Sequence, residues 1–268
     1  MAIESKWQLC AVQINSAVIG QITAQDIGAA FTENLAAPST SIYTTFGGFS
    51  RQQHNLTFAT EQVDALWTAV GLAGAALSTN NVTCYFKSLS NEAGIAAAGC
   101  VTFAATKGII VIRGVEAPAD GNATATAEVI PVSSSGITAC WTKATGVAVP
   151  TPTADEVFVV GGDGVESWSI DTGITLDLDG DAGTYNTFVA IDNITPTVSE
   201  TEFAMGDVGT DTIGSVTLDK LTAGGGRTAA QWTATLNEEL TQVSSLGSRT
   251  MLEARALYDG SNLPLVIS

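Results

Sequence analysis

His54 is the single histidine of the chain, and it follows Arg51, Gln52 and Gln53 in a polar patch. A histidine acting as general base needs a nucleophile or an orienting acid nearby. No Ser, Cys or Asp constellation accompanies His54, so it is read as a surface or turn residue. Asp177, Asp179 and Asp181 (DLDGD) have the spacing of a calcium loop. An EF-hand loop wants glycine at its sixth position and glutamate at its twelfth, where this chain has Ala182 and Phe188. The same alternation around Leu176 and Leu178 fits an exposed strand face entering a turn. Gly224-Gly225-Gly226-Arg227 lacks the Lys-Ser/Thr of a phosphate loop and reads as a flexible loop. Gly161-Gly162-Asp163-Gly164 reads as a turn. Cys10, Cys84, Cys100 and Cys140 form no CxxC pair, which argues against zinc and for small buried hydrophobes. Asn55, Asn81, Asn122 and Asn193 each open an N-x-T triplet, expected by chance in a Thr-rich chain. Trp7, Trp67, Trp141, Trp168 and Trp232 are scattered, which fits core packing and interface anchoring better than sugar stacking. No catalytic, cofactor-binding or metal-ligating residue is assigned, and the expectation is a protein that is not an enzyme and needs no cofactor.

Composition narrows the classes further. The chain has 268 residues, 45% of them hydrophobic, so a sizeable core can form. Only 14% are charged, well under the roughly 25% usual for soluble domains, as expected of a surface that is buried against neighbours. The formal net charge is −17. Residues 1–160 hold 11 acidic and 6 basic side chains, and residues 161–268 hold 16 and 4. Such a field repels phosphate backbones, so tight nucleic-acid binding is not expected, while transient passage of DNA past a repelling wall is compatible with it. The opening MAIESKWQLC has charges but no apolar run after them, and no segment has about 20 apolar residues to span a membrane. The reading is synthesis in a cytosol, with reduced thiols.

Position in the chain is set by β periodicity. Ser41 to Gly71 reads as strand, polar turn, strand and one short helix at about residues 60–71. Thr60 is expected to cap that helix, Glu61 and Asp64 to load its first turn with negative charge, and Gly71 to stop it. Val63, Leu66, Trp67 and Val70 fall on one stripe, which must lie on a sheet. Asp26 to Pro38 reads as a loop. Ile109 to Ile112 is continuously β-branched and is expected to be buried on both faces. The fold class expected is mainly β, as two tandem β-sandwich or barrel-like domains with that one flanking helix. The first domain covers 1–148 and the second 157–268, joined by a Pro-rich linker at 149–156 that holds Pro150 and Pro152. The second half reads as a degraded copy of the first. Tyr43, Phe46, Phe49, Phe58 and Val63 match Phe188, Ile191, Ile194, Phe203 and Val208. Val82 and Cys84 match Val216 and Leu218. Gly121, Thr124, Val132 and Ser135 match Gly247, Thr250, Tyr258 and Ser261. The spacing between blocks shrinks in the second copy, which is expected to have lost most of the helix.

TFATEQVDALWTAVG with its flanking β segments, the Ala/Gly/Asn loop after Phe86, the DGN turn into ATATAEVIPVSSSG, and MLEARALYDGSNLPLVIS carry a resemblance. The pattern resembles bacteriophage tail tube proteins, of the two-domain type. The resemblance implies a subunit of a virion, made in the host cytoplasm, that stacks as rings around a DNA conduit. It implies self-association, as a ring of six domains or a trimer with pseudo-sixfold symmetry, with other virion proteins as neighbours and DNA as passing cargo. Tubes of this family often have an acidic lumen, in agreement with the charge. The alternatives are a phage head decoration or capsid protein, and a carbohydrate-binding or adhesion module.

Overall fold

Ile109-Ile110-Val111-Ile112 gives the β-branched side chains that pack best on a pleated surface, and the strand they form lies at the centre of the largest sheet. The computed structural model describes residues 7–36, 45–77, 82–88, 99–133, 140–152, 156–180, 186–203, 212–222, 225–237, 239–246 and 248–268. The chain begins with strands β1 (Trp7–Ile14), β2 (Ala17–Ile19), β3 (Ile22–Ala36) and β4 (Thr45–Thr60), then helix α1 (Val63–Val70). Strands β5 (Ala75–Ala76), β6 (Val82–Ser88), β7 (Cys100–Ala105), β8 (Gly108–Ala117), β9 (Thr124–Pro131) and β10 (Thr142–Val147) complete the first half. The second half holds β11 (Phe158–Val160), β12 (Val165–Asp171), β13 (Thr175–Asp179), β14 (Phe188–Asn193) and β15 (Thr197–Glu202). It ends with β16 (Ser215–Leu221), β17 (Arg227–Leu236), β18 (Glu239–Leu246), β19 (Arg249–Ala256) and β20 (Leu265–Ile267). The fold is mainly β and multi-sheet, with antiparallel strand pairing and one α-helix among the described residues.

The sheets repeat one plan. One has the order β10-β7-β6-β1-β2 and another the order β20-β17-β16-β11. The large sheet runs β18-β19-β15-β12-β8-β9-β4-β3, with β5 added beside β8. Its first four strands repeat the order of its last four, with β18, β19, β15 and β12 standing for β8, β9, β4 and β3. The register agrees. Ile27 faces Leu56, which faces Val129, which faces Ile110. In the same places of the second unit Ile170 faces Val198, which faces Ala254, which faces Thr241. In the smaller sheets Val12, Cys84 and Phe103 form one row, and Val160, Leu218 and Trp232 form its counterpart.

The 149–156 segment separates these units in sequence, but not into two sheets or two cores. β12 pairs with β8, placing Ile170 opposite Val115 and Asp171 opposite Gly114. One buried cluster takes in Leu56, Leu66, Ile110 and Val129 together with Val198, Trp232 and Leu252. Pro152 lies against the first unit, so close to Gly20 that a Cβ there would meet it at 2.9 Å.

Helix α1 buries Val63, Leu66, Trp67 and Val70 as its stripe requires. It is shorter than the expected 60–71. Thr60 ends β4, and Gln62 takes the N-cap position without a side-chain cap bond. The Thr60 hydroxyl still accepts the Gln62 N–H (3.1 Å) and donates to the Gly20 carbonyl (2.6 Å). Gly71 ends the helix at φ 72°, its N–H donating to the Trp67 carbonyl (2.8 Å). The loop expected at Asp26 to Pro38 is instead strand as far as Ala36. β3 and β4 form a long antiparallel ribbon, and only Leu56–Thr60 of β4 also pair with β9. Backbone ladder bonds along that ribbon outweigh the weak β propensity of its Ala, Gly and Asn. β8 is buried on both faces, as its sequence implies. Ile110 and Ile112 join the main core, while Ile109 and Val111 meet the hairpin β13–β14 through Ile174, Leu176, Leu178 and Val189.

Candidate functional site

The end strands of the large sheet are β3 and β18, each with its outer side unpaired among the described residues. Such edges present free N–H and C=O groups. Beside β3 opens an apolar cleft of about 410 Å³, lined by Ile27, His54, Leu56, Phe86, Phe103, Trp141 and Lys143 among others. The β3–β4 pair forms one wall, and β6, β7 and β10 form the other. Phe86 and Phe103 meet edge to face at 5.7 Å. Ile27 is 65% exposed, whereas its counterpart Ile170 is 2% exposed under the β8 junction.

His54 therefore sits in a cleft wall rather than on a turn. Its Nε2 is buried with no hydrogen-bond partner among the described residues, and burial pushes its pKa below the ordinary value. It has the character of a neutral imidazole in an apolar wall, without the partners of a catalytic base.

Asp177 and Asp179 lie on the exposed face of β13, between the half-buried Leu176 and Leu178 that turn toward the core. Asp179 accepts the N–H of Gly180 (2.7 Å). Asp181 lies outside the described residues, as do Ala182, Gly224 and Asn81. No group of three or more potential metal ligands occurs among the described residues. Cys84, Cys100 and Cys140 are buried, Cys10 is half-buried, and all four are free thiols. Burial and the neighbouring Cys100 push the Cys10 thiol up to about 12, and its Sγ donates to the Tyr85 carbonyl (3.1 Å), so neither a thiolate nucleophile nor a thiolate ligand forms there. Asn55 and Asn122 use their amides inside the fold, on Glu128 and Glu61.

Two features escaped the sequence reading. Trp67, Trp168 and Trp232 come together from α1, β12 and β17, with Trp168 donating its Nε1–H to the Thr217 carbonyl (3.0 Å). Their wide separation in sequence hides the cluster. The second is Glu200, which is buried on the core face of β15. Burial first, then Glu202 and Glu239, raise its pKa to about 8. Glu200 occupies the place that Phe58 has in the first unit, since Phe58 faces Ala127 and Glu200 faces the corresponding Leu252.

Compared with models of known protein families and with curated proteins, the chain matches none. No helix among the described residues is long and apolar enough to cross a membrane.

Proposed function

We propose that the chain is a structural subunit of a virion, most specifically a tail tube protein that assembles with copies of itself into stacked rings around a DNA conduit. One observation carries the reading. Inside the chain two like units join head to tail, the β3-type edge of the second (β12) on the β8 edge of the first. The same kinds of edge remain unpaired at β3 and β18. A head-to-tail contact is heterologous, and repetition of such a contact generates closed rings or open filaments. The acidic balance, 27 acids against 10 bases, supports a channel wall that does not hold a polyanion. The low charged fraction supports extensive burial between copies.

Negative-stain microscopy of the purified full chain tests this reading. Rings or tubes with a central channel are the expected result. A chain that stays monomeric at every concentration would overturn it and favour the adhesion-module alternative, and a shell or surface lattice without a channel would favour the head decoration alternative.

A further inference from the structure

We infer that β3 of one copy pairs antiparallel with β18 of a second copy, placing Ile27 opposite Ser245 and closing the apolar cleft beside Ile27. This rests on the reading of the chain as a self-assembling subunit. The register comes from the junction already present inside the chain. There Ile170 faces Val115, and Val115 in turn faces Ala125 on β9. Ile27 holds the place of Ile170 in the first unit. On the other side, Ala125 corresponds to Thr250, four residues before Ala254 just as Ala125 lies four before Val129, and Thr250 faces Ser245. Ser245 is thus the position on β18 that matches Val115. The bulge between Ile112 and Gly114 in β8 has no equivalent in the β18–β19 pairing, so the match is counted along β9 and β19, whose pairing with β4 and β15 is unbroken.

The cleft supports the same partner. Phe103 faces Cys84 as Trp232 faces Leu218, so the two aromatic residues hold equivalent places. Trp232 is 1% exposed, covered by Trp67 of the first unit at 5.7 Å and stacked on Trp168 of its own unit at 5.8 Å. Phe103 meets Phe86 edge to face, has no cover from another unit among the described residues, and opens on the cleft with Trp141 and Ile27. A second copy docked through β18 supplies the strand edge that β8 supplies inside the chain. The strands β1, β2, β6, β7 and β10 carry Lys87 and Lys143 and no acidic residue, so this wall does not repel an acidic neighbour.

The test uses the full-length chain and mixed variants that each add one cysteine to the four native thiols, with the unsubstituted chain as the control. Ile27→Cys mixed with Ser245→Cys should give a disulfide-linked dimer under mild oxidation, and neither variant alone should. Ile27→Cys mixed with Thr241→Cys, out of register, should give none. Ile27→Asp changes an exposed position, so its thermal melt should match the parent while the concentration needed for assembly rises by about tenfold, the effect of losing one buried contact in each interface. Wild-type tubes with no Ile27–Ser245 cross-link and unchanged assembly of Ile27→Asp would overturn the docking assignment and leave the tube reading standing. A wild-type chain that never assembles would overturn both. A small apolar compound recovered by mass spectrometry from a cleft that never cross-links would assign the cleft to a different occupant and also overturn the inference.

Discussion

The indole rings of Trp168 and Trp232 lie 5.8 Å apart with their planes 5° from parallel, and Trp67 meets Trp232 edge-on at 77°. Trp67 comes from the helix of the first unit, while the other two come from strands of the second. The three rings are therefore the aromatic centre of the joint between units. Stacked and edge-on pairs of this kind add about 0.5–1.5 kcal/mol to plain burial.

Truncation of Trp67 tests that role. Trp67→Ala should cost about 3–5 kcal/mol, the usual range for removing a large core side chain. The cost should appear as one cooperative loss of both halves in denaturant unfolding, because Trp67 belongs to a core that the halves share. A midpoint unchanged within error would show that the residue contributes nothing to the joint.

Gly114 tests the joint at the backbone. It faces Asp171 across the β8–β12 pairing, and a Cβ built there would come within 2.6 Å of the Ile170 carbonyl oxygen. The two strands are tied together just beyond, where Thr172 donates its N–H to the Arg113 carbonyl (3.0 Å) and its hydroxyl to the Ile112 carbonyl (2.7 Å). Gly114→Ala should therefore destabilise by about 1–3 kcal/mol, as overpacking does. Calorimetry giving an equal or higher melting temperature would show that the strands move apart at no cost.

The residues that made these elements readable are the ones whose burial follows a simple period. The Val63-Leu66-Trp67-Val70 stripe and the Ile109–Ile112 run fixed a helix and a doubly buried strand from sequence alone. The β3 half of the long ribbon looks like loop in sequence because its stability lies in ladder bonds with β4, which side-chain types do not report. In the smaller sheets Cys84 and Leu218 hold like row positions, as do Val82 and Val216 two residues before them. Elsewhere the match drifted. Similarity matches Phe58 to Phe203, while the sheet rows put Glu200 in the Phe58 place. A buried carboxyl in an apolar position defeats matching by hydrophobicity. The cleft was unreadable because it joins residues from β3, β4, β6, β7 and β10 that have no common spacing.

Glu200 gives the fold a pH dependence with a defined sign. Its carboxyl is held neutral by burial and by Glu202 and Glu239, so its folded pKa, about 8, lies above its ordinary value of 4.5. The folded state then keeps a proton that the unfolded state has released. The stability contributed by the neutral form is complete below about 4.5 and is lost as pH rises toward about 8. Glu200→Gln keeps the shape and cannot ionise. Its stability relative to the parent should rise steadily between those two pH values in urea unfolding. A difference that stays constant across that window would show that Glu200 is already ionised in the folded protein.

The acidic excess supplies the last prediction. If the assembled rings guide DNA, the carboxylates should face one shared channel, where repulsion keeps a sliding polyanion off the wall. Residues 161–268 hold 16 of the 27 acids, and Asp177 and Asp179 stand exposed on β13. Collecting like charge on one wall opposes ring closure. Added salt screens that repulsion, so assembly should tighten as ionic strength rises toward about 0.15 M, where the screening length is about 8 Å. Asp177→Asn with Asp179→Asn should weaken this salt dependence if these side chains line the channel. Light scattering across a salt series measures the first effect, and retention of DNA on purified tubes measures the second. Assembly that loosens with salt would show that attraction between opposite charges holds the copies together. Tubes that bind DNA firmly at physiological salt would mean that the wall is not acidic, and the conduit reading would fall.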